Sequence, residues 1–124
     1  MRIVLAEREA ELMEVLWEYG PVTVAEVREK LKDGLAYTTV LTILRKLEAK
    51  GYVGHDADGR AYRYRPMVAR NDAQRGALRD LAIKLFKGSP TLLLTHLVTE
   101  HQLTEEEIRR IRKLLSERTR KDKL

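Results

Sequence analysis

The 124-residue chain contains no cysteine. That absence excludes disulfides, thiolate nucleophiles and cysteine-ligated metals, and it fits a reducing cytoplasm. No apolar run approaches the roughly 18 residues a membrane helix needs. Acidic residues from Glu7 onward interrupt any signal-peptide pattern. There is no glycine-rich phosphate loop, no serine nucleophile in a motif and no convincing pair of acids, so no enzyme is expected and no cofactor. Internal repeats and low-complexity segments are also lacking. A cytoplasmic protein with no membrane partner is the expectation.

What is present is charge, unevenly spread. The net charge is +5, with 35% charged and 44% hydrophobic residues, a balance that argues against disorder. Residues 1–35 carry 5 basic and 8 acidic side chains, residues 36–65 carry 6 and 3, and residues 66–124 carry 13 and 8. The basic excess therefore begins at residue 36, which suggests a polyanionic partner for the segment that starts there.

The stretch from Ala36 to Arg65 reads as one helix followed by a hairpin. Val40, Ile43, Leu44 and Leu47 fall at i, i+3, i+4 and i+7 and share one face. The opposite face holds Thr38, Thr42, Arg45 and Ala49, with Thr39 and Lys46 on its flank. Small polar groups let a helix sit deep in a major groove, and Arg or Lys reaches guanine or phosphate. The plainer interpretation of that face is ordinary solvation. The residues after the helix favour DNA. Gly51 stands where an αL cap is expected. Strands over 52–56 and 60–65 then flank Ala57-Asp58-Gly59, and Asp-Gly is a strong hairpin signal. A helix with a basic hairpin directly after it is the ending of a winged helix-turn-helix.

Upstream, residues 5–19 form a helix with Leu12, Met13, Leu16 and Trp17 inward, and Gly20-Pro21 ends it. Trp17 belongs to that apolar stripe and is a core residue, not a base-stacking one. Thr23-Val24-Ala25-Glu26 is a capping box that opens a second helix to Leu31. Gly34 supplies the turn into the third, completing a helix-turn-helix. Downstream, Asn71 or Asp72 is expected to cap a helix running to about Lys87. Ser89-Pro90 starts another. Thr104-Glu105-Glu106-Glu107 opens a last one, whose charged end beyond Ser116 is expected to fray. Arg109, Arg110, Arg112 and Lys113 make a solvated face.

Those last helices hold too little core to stand alone. Their apolar residues Leu78, Leu81, Leu85, Leu92, Leu93, Leu97, Ile108, Ile111 and Leu115 are expected to pack against a second copy in a two-fold homodimer. The alternative is that they fold back on their own chain. His96 and His101 are five residues apart, a poor spacing for one helix face, and His55 belongs to the hairpin, so no metal site is expected.

The combination of Leu16-Trp17, Tyr37-Thr38-Thr39-Val40, Leu47-Glu48-Ala49-Lys50-Gly51 and the ending Tyr62-Arg63-Tyr64-Arg65-Pro66 resembles the penicillinase-repressor and methicillin-repressor (BlaI/MecI-type) regulators. The resemblance implies a homodimeric winged-helix repressor that occludes a dyad-symmetric operator. It implies DNA contacts at Thr38, Thr39, Thr42 and Lys46, with Arg60 and Tyr62 near the backbone in the wing. Helical geometry adds Arg45. In the antibiotic-responsive branch a sensor triggers cleavage at an Asn-Phe bond. Thr95-His96 stands there in this chain, so release by cleavage at that bond is not expected. The copper-responsive branch needs paired cysteines that are absent. A sensor protease or another inducer is left as the releasing partner.

The fold expected is mainly α with a small β-hairpin: a winged helix-turn-helix DNA-binding domain over 1–68 and a helical dimerisation region over 69–124. The function expected is a dimeric DNA-binding transcriptional repressor acting on a double-stranded DNA operator. The competing class is a winged-helix module for protein partners. It would expose apolar residues on the outward face, where only Leu41 stands at the margin.

Overall fold

The computed structural model describes residues 2–122. The element order is α1 (Glu7–Tyr19), α2 (Val24–Leu31), α3 (Tyr37–Ala49), β1 (Val53–Asp58), β2 (Ala61–Pro66), α4 (Arg70–Leu85), α5 (Pro90–Glu100) and α6 (Glu105–Asp122). Two compact units separate between Asp80 and Leu81. No helix is long and apolar enough to cross a membrane among the described residues.

In the first unit, α1 to α3 and the hairpin enclose one core. Leu12, Met13, Leu16, Val27, Val40, Leu44 and Leu47 are its fully buried side chains, and Tyr52, Val53 and Tyr64 join it. The helix-turn-helix forms as its local chemistry demands. Thr23 Oγ1 accepts from the Glu26 N–H at 3.2 Å, and the Glu26 carboxylate accepts from the Thr23 N–H at 3.3 Å. Gly34, at φ +76°, turns the chain toward α3. Arg28 Nε then donates to the Leu35 carbonyl at 2.9 Å and secures that turn.

The strands pair antiparallel, from Val53 opposite Pro66 to Asp58 opposite Ala61. The connection is therefore the two residues Gly59 and Arg60, not the expected 57–59. Gly59 takes the first loop position at φ +63°, the place a type II′ turn reserves for glycine. Each strand is shifted by a residue or two from its expected span. Tyr64 and Val22 exchange backbone hydrogen bonds of 3.0 and 2.7 Å, which stitches the hairpin to the α1–α2 connection.

Glu9 is a buried acid. It is 6% exposed, accepts from the Ala6 N–H at 2.8 Å and from Lys50 Nζ at 2.7 Å, and so ties the start of α1 to the end of α3. Burial pushes its carboxyl up, but the Lys50 and Ala6 donors outweigh that and hold it below the usual range. A lowered carboxyl pKa contributes stability that is complete at neutral pH and disappears as pH falls through the folded value. Glu9→Gln is expected to cost about 1–2 kcal/mol at pH 7. Denaturant melts at pH 7 and pH 3 should show that difference shrinking in acid.

The helix α4 starts at Arg70 rather than at a cap of Asn71 or Asp72. Long-range contacts decide this. Arg70 pairs with Glu14 at 3.0 Å and lies 5.6 Å over the Trp17 ring, while Trp17 Nε1 donates to the Val68 carbonyl at 2.9 Å. Trp17 is thus partly buried with its indole N–H satisfied.

In the second unit, Ser89 Oγ accepts from the Leu92 N–H at 3.1 Å with Pro90 next in the chain. Thr104 and Glu107 form the expected reciprocal cap at 3.0 and 3.1 Å. The helix α6 continues to Asp122 instead of fraying after Ser116. Thr119 Oγ1 donates to the Leu115 carbonyl at 3.0 Å, and Arg118 pairs with Asp122 one turn on at 3.4 Å. No residue of α5 or α6 is buried. Leu85, Leu97, Val98, Leu114 and Leu115 are 46–66% exposed.

Candidate nucleic-acid interface

Thr38, Thr39, Thr42, Arg45 and Lys46 on α3, and Arg60 and Tyr62 on the hairpin, are all exposed. They are held out because the other face of α3 is fixed in the core by Val40, Leu44 and Leu47. Thr38, Thr42 and Arg45 form the central outward line. Thr39 and Lys46 lie on the flank away from the hairpin, where Lys46 borders a recess with Ile43, Ala49 and Lys50. On the other flank, Arg45 joins Arg60 and Tyr62 around a groove of about 560 Å³ between α3 and the hairpin. Thr42 Oγ1 donates to the Thr38 carbonyl at 2.8 Å.

The cations of α3 and the hairpin divide into two classes. Arg63 pairs with Asp58 at 2.7 Å and with Glu26 at 3.3 Å, and Arg65 pairs with Asp56 at 2.7 Å. These two arginines lie on the same hairpin face as the aspartates, by the register Asp56↔Arg63 and Gly54↔Arg65. Arg45, Lys46 and Arg60 make no ion pair among the described residues. Paired charges have little left to offer a phosphate, whereas the three unpaired ones keep their full field for a polyanion.

On the hairpin's opposite face Tyr62 is 54% exposed and Tyr64 only 2%. Burial, and after it the charge of Glu48, pushes the Tyr64 phenol up. Tyr64 therefore belongs to the core, and Tyr62 is the tyrosine that stands in solvent. Three residues of the groove were not singled out by pattern. Tyr37, 48% exposed, opens α3. Glu48 and His55 meet across the helix–hairpin junction, with His55 Nδ1 2.8 Å from both carboxylate oxygens. They lie in different elements, α3 and β1, so no period of one helix or one strand relates them. A lone acid on an otherwise cationic helix face was the available signal. No cluster of three histidine or acidic side chains suited to a metal occurs among the described residues.

The family model described as "Penicillinase repressor" matches residues 5–117. A transcriptional regulator, BlaI of Mycobacterium tuberculosis strain H37Rv, is 36% identical over 117 residues, covering 91% of this chain and 83% of that protein. The penicillinase repressor of Bacillus licheniformis is 24% identical over 121 residues, covering 96% of this chain and 94% of that one. Among solved structures, the solution structure of the DNA-binding domain of the repressor BlaI superposes with a TM-score of 0.51 at 28% identity, covering 58% of this chain and 93% of that chain.

Proposed function

The chain belongs to the penicillinase-repressor family, and on that premise we propose that two copies of it occlude a dyad-symmetric operator. The chain is a DNA-binding transcriptional repressor, its fold a winged helix-turn-helix. In the proposed complex residues 1–68 are the DNA-binding part and residues 69–124 the dimerisation region. Each subunit sets α3 in a major groove, with Thr38, Thr39, Thr42, Arg45 and Lys46 toward the duplex. Arg60 and Tyr62 meet the phosphate backbone beside it. The protein works in the cytoplasm and catalyses no reaction.

The observation that carries this reading is the set of unpaired cations Arg45, Lys46 and Arg60 around an otherwise small, polar face. A protein-docking module would present apolar groups there, and Leu41 is half-buried. Selection of duplexes by the full chain from a randomised pool tests it. The expected product is a pair of inverted half-sites, centred about one helical turn or a whole multiple apart. No enrichment, or a single half-site without symmetry, would overturn it.

The two arginines should separate by behaviour. Arg60→Ala is expected to weaken binding to all sequences and to reduce the salt slope by about 1. Arg45→Ala should instead relax preference at one position of each half-site, at a cost of about 1–3 kcal/mol. Anisotropy titrations across a salt series distinguish them. An Arg60→Ala protein with altered sequence preference and an unchanged salt slope would remove the wing from the backbone.

A further inference from the structure

Glu48 is out of place on a surface meant for a polyanion. It stands in the groove lined by Arg45, Arg60, Tyr37 and Tyr62, where an unneutralised carboxylate would repel phosphate. The structure gives it a partner. His55 Nδ1 sits 2.8 Å from both Glu48 carboxylate oxygens. The tyrosines of β2 also lie near that imidazole, with Tyr62 at 4.7 Å between ring centroids and Tyr64 at 5.4 Å.

We propose that Glu48 and His55 are a positioning pair that holds the hairpin wing against the recognition helix, so that operator affinity rises as His55 takes up a proton. The inference rests on the DNA-binding reading above.

The ring, about a third exposed at 34%, lies between an acid of α3 and the tyrosines of the hairpin. Its orientation therefore sets where Tyr62 stands, and Tyr62 is the tyrosine offered to the backbone. A charged imidazole makes a charge-assisted bond with the carboxylate and cancels its repulsion for phosphate. A neutral ring keeps at most an ordinary hydrogen bond. Imidazole is the side chain whose charge ordinarily changes between about pH 5 and 8. The charged groups that line the groove with it are Glu48, Arg45 and Arg60. The tyrosines Tyr37, Tyr62 and Tyr64 complete the lining.

The test uses the full chain and the duplex recovered by selection, with anisotropy titrations at pH 6 and pH 8 in constant salt. The wild-type protein should bind about threefold or more tightly at pH 6, the scale of one partly exposed ion pair. Glu48→Gln and His55→Gln should both flatten that profile. A Glu48→Gln protein that keeps the wild-type pH dependence while His55→Gln loses it would mean that His55 acts on DNA directly, overturning the pairing. A His55→Gln protein that keeps it would place the titrating group elsewhere. A second arm needs no DNA: nuclear Overhauser contacts between the His55 and Tyr62 rings in the free protein should weaken from pH 6 to pH 8. Contacts indifferent to pH would also overturn the proposal. Failure of the wild-type protein to bind any selected duplex counts against the repressor reading, and the free-protein arm then judges the pair alone.

Discussion

Leu44→Ala is expected to destabilise the winged-helix unit by about 3–4 kcal/mol, the usual cost of emptying a fully buried leucine site. Leu44 has no exposed surface and shares its cluster with Leu12, Leu16, Val27 and Leu47. Every helix of the unit and the base of the hairpin reach that cluster, so no single element can close over the cavity. Marginal domains hold about 5–15 kcal/mol in all, so such a loss is a large share of the total. For a unit of this size the melting temperature should fall by roughly 12–30 °C. Calorimetry on the purified full chain reads this directly. The neighbouring substitution Arg45→Ala should leave the transition almost where it was, because Arg45 is exposed and unpaired. One helix thus separates two tasks, with Leu44 anchoring it and Arg45 facing outward. A drop below 1 kcal/mol for Leu44→Ala would mean that α3 is not held by its buried face.

Leu97→Asp should have the largest effect on repression while sparing the fold. Leu97 is 46% exposed in the single chain and α5 buries none of its residues. A carboxylate there costs an isolated chain little. In the proposed dimer it would be trapped in an apolar seam, where an unpaired charge is severely unfavourable. Sedimentation should show the wild-type chain as a dimer at micromolar concentration and the variant as a monomer. Operator affinity should fall by about 10²–10⁴-fold, because the second half-site loses the local concentration that linkage supplies. A variant that stays dimeric would move the interface off α5. A wild-type chain that sediments as a monomer would remove the dimer altogether.

Local chemistry made the first unit readable. The cap at Thr23 and Glu26, the spacing of Val40, Leu44 and Leu47, and the glycines at 34, 51 and 59 each act within a few residues, so their pattern survives in the sequence. The errors fall where distant contacts decide. Arg70 enters α4 because Glu14 and Trp17 hold it, and no rule about caps could see them. The hairpin loop shortened to Gly59-Arg60 because cross-strand pairing, not the Asp-Gly dipeptide alone, set the register. The helix α6 outlasted Ser116 through one hydroxyl bond and one ion pair among many charges. The seven residues proposed to face DNA were legible as an outward face, but the neutralisation of Arg63 and Arg65 was not. Hairpin composition offers three equal arginines, and only the register shows that aspartates occupy two of them. The Glu48–His55 contact was hidden for the same reason.

The bond from the Thr42 hydroxyl to the Thr38 carbonyl limits what α3 can say to a base pair. Its proton is already committed, so what projects outward is a methyl group and oxygen lone pairs. In the proposed complex such a side chain can listen to the amino groups of adenine and cytosine or rest on the thymine methyl, but it is mute to guanine, whose major-groove edge only accepts. Arg45, one turn on, has the opposite vocabulary, with donors and no acceptor. Two neighbouring positions therefore divide the alphabet of the groove between them, and a change at either one would leave the other half of the message intact.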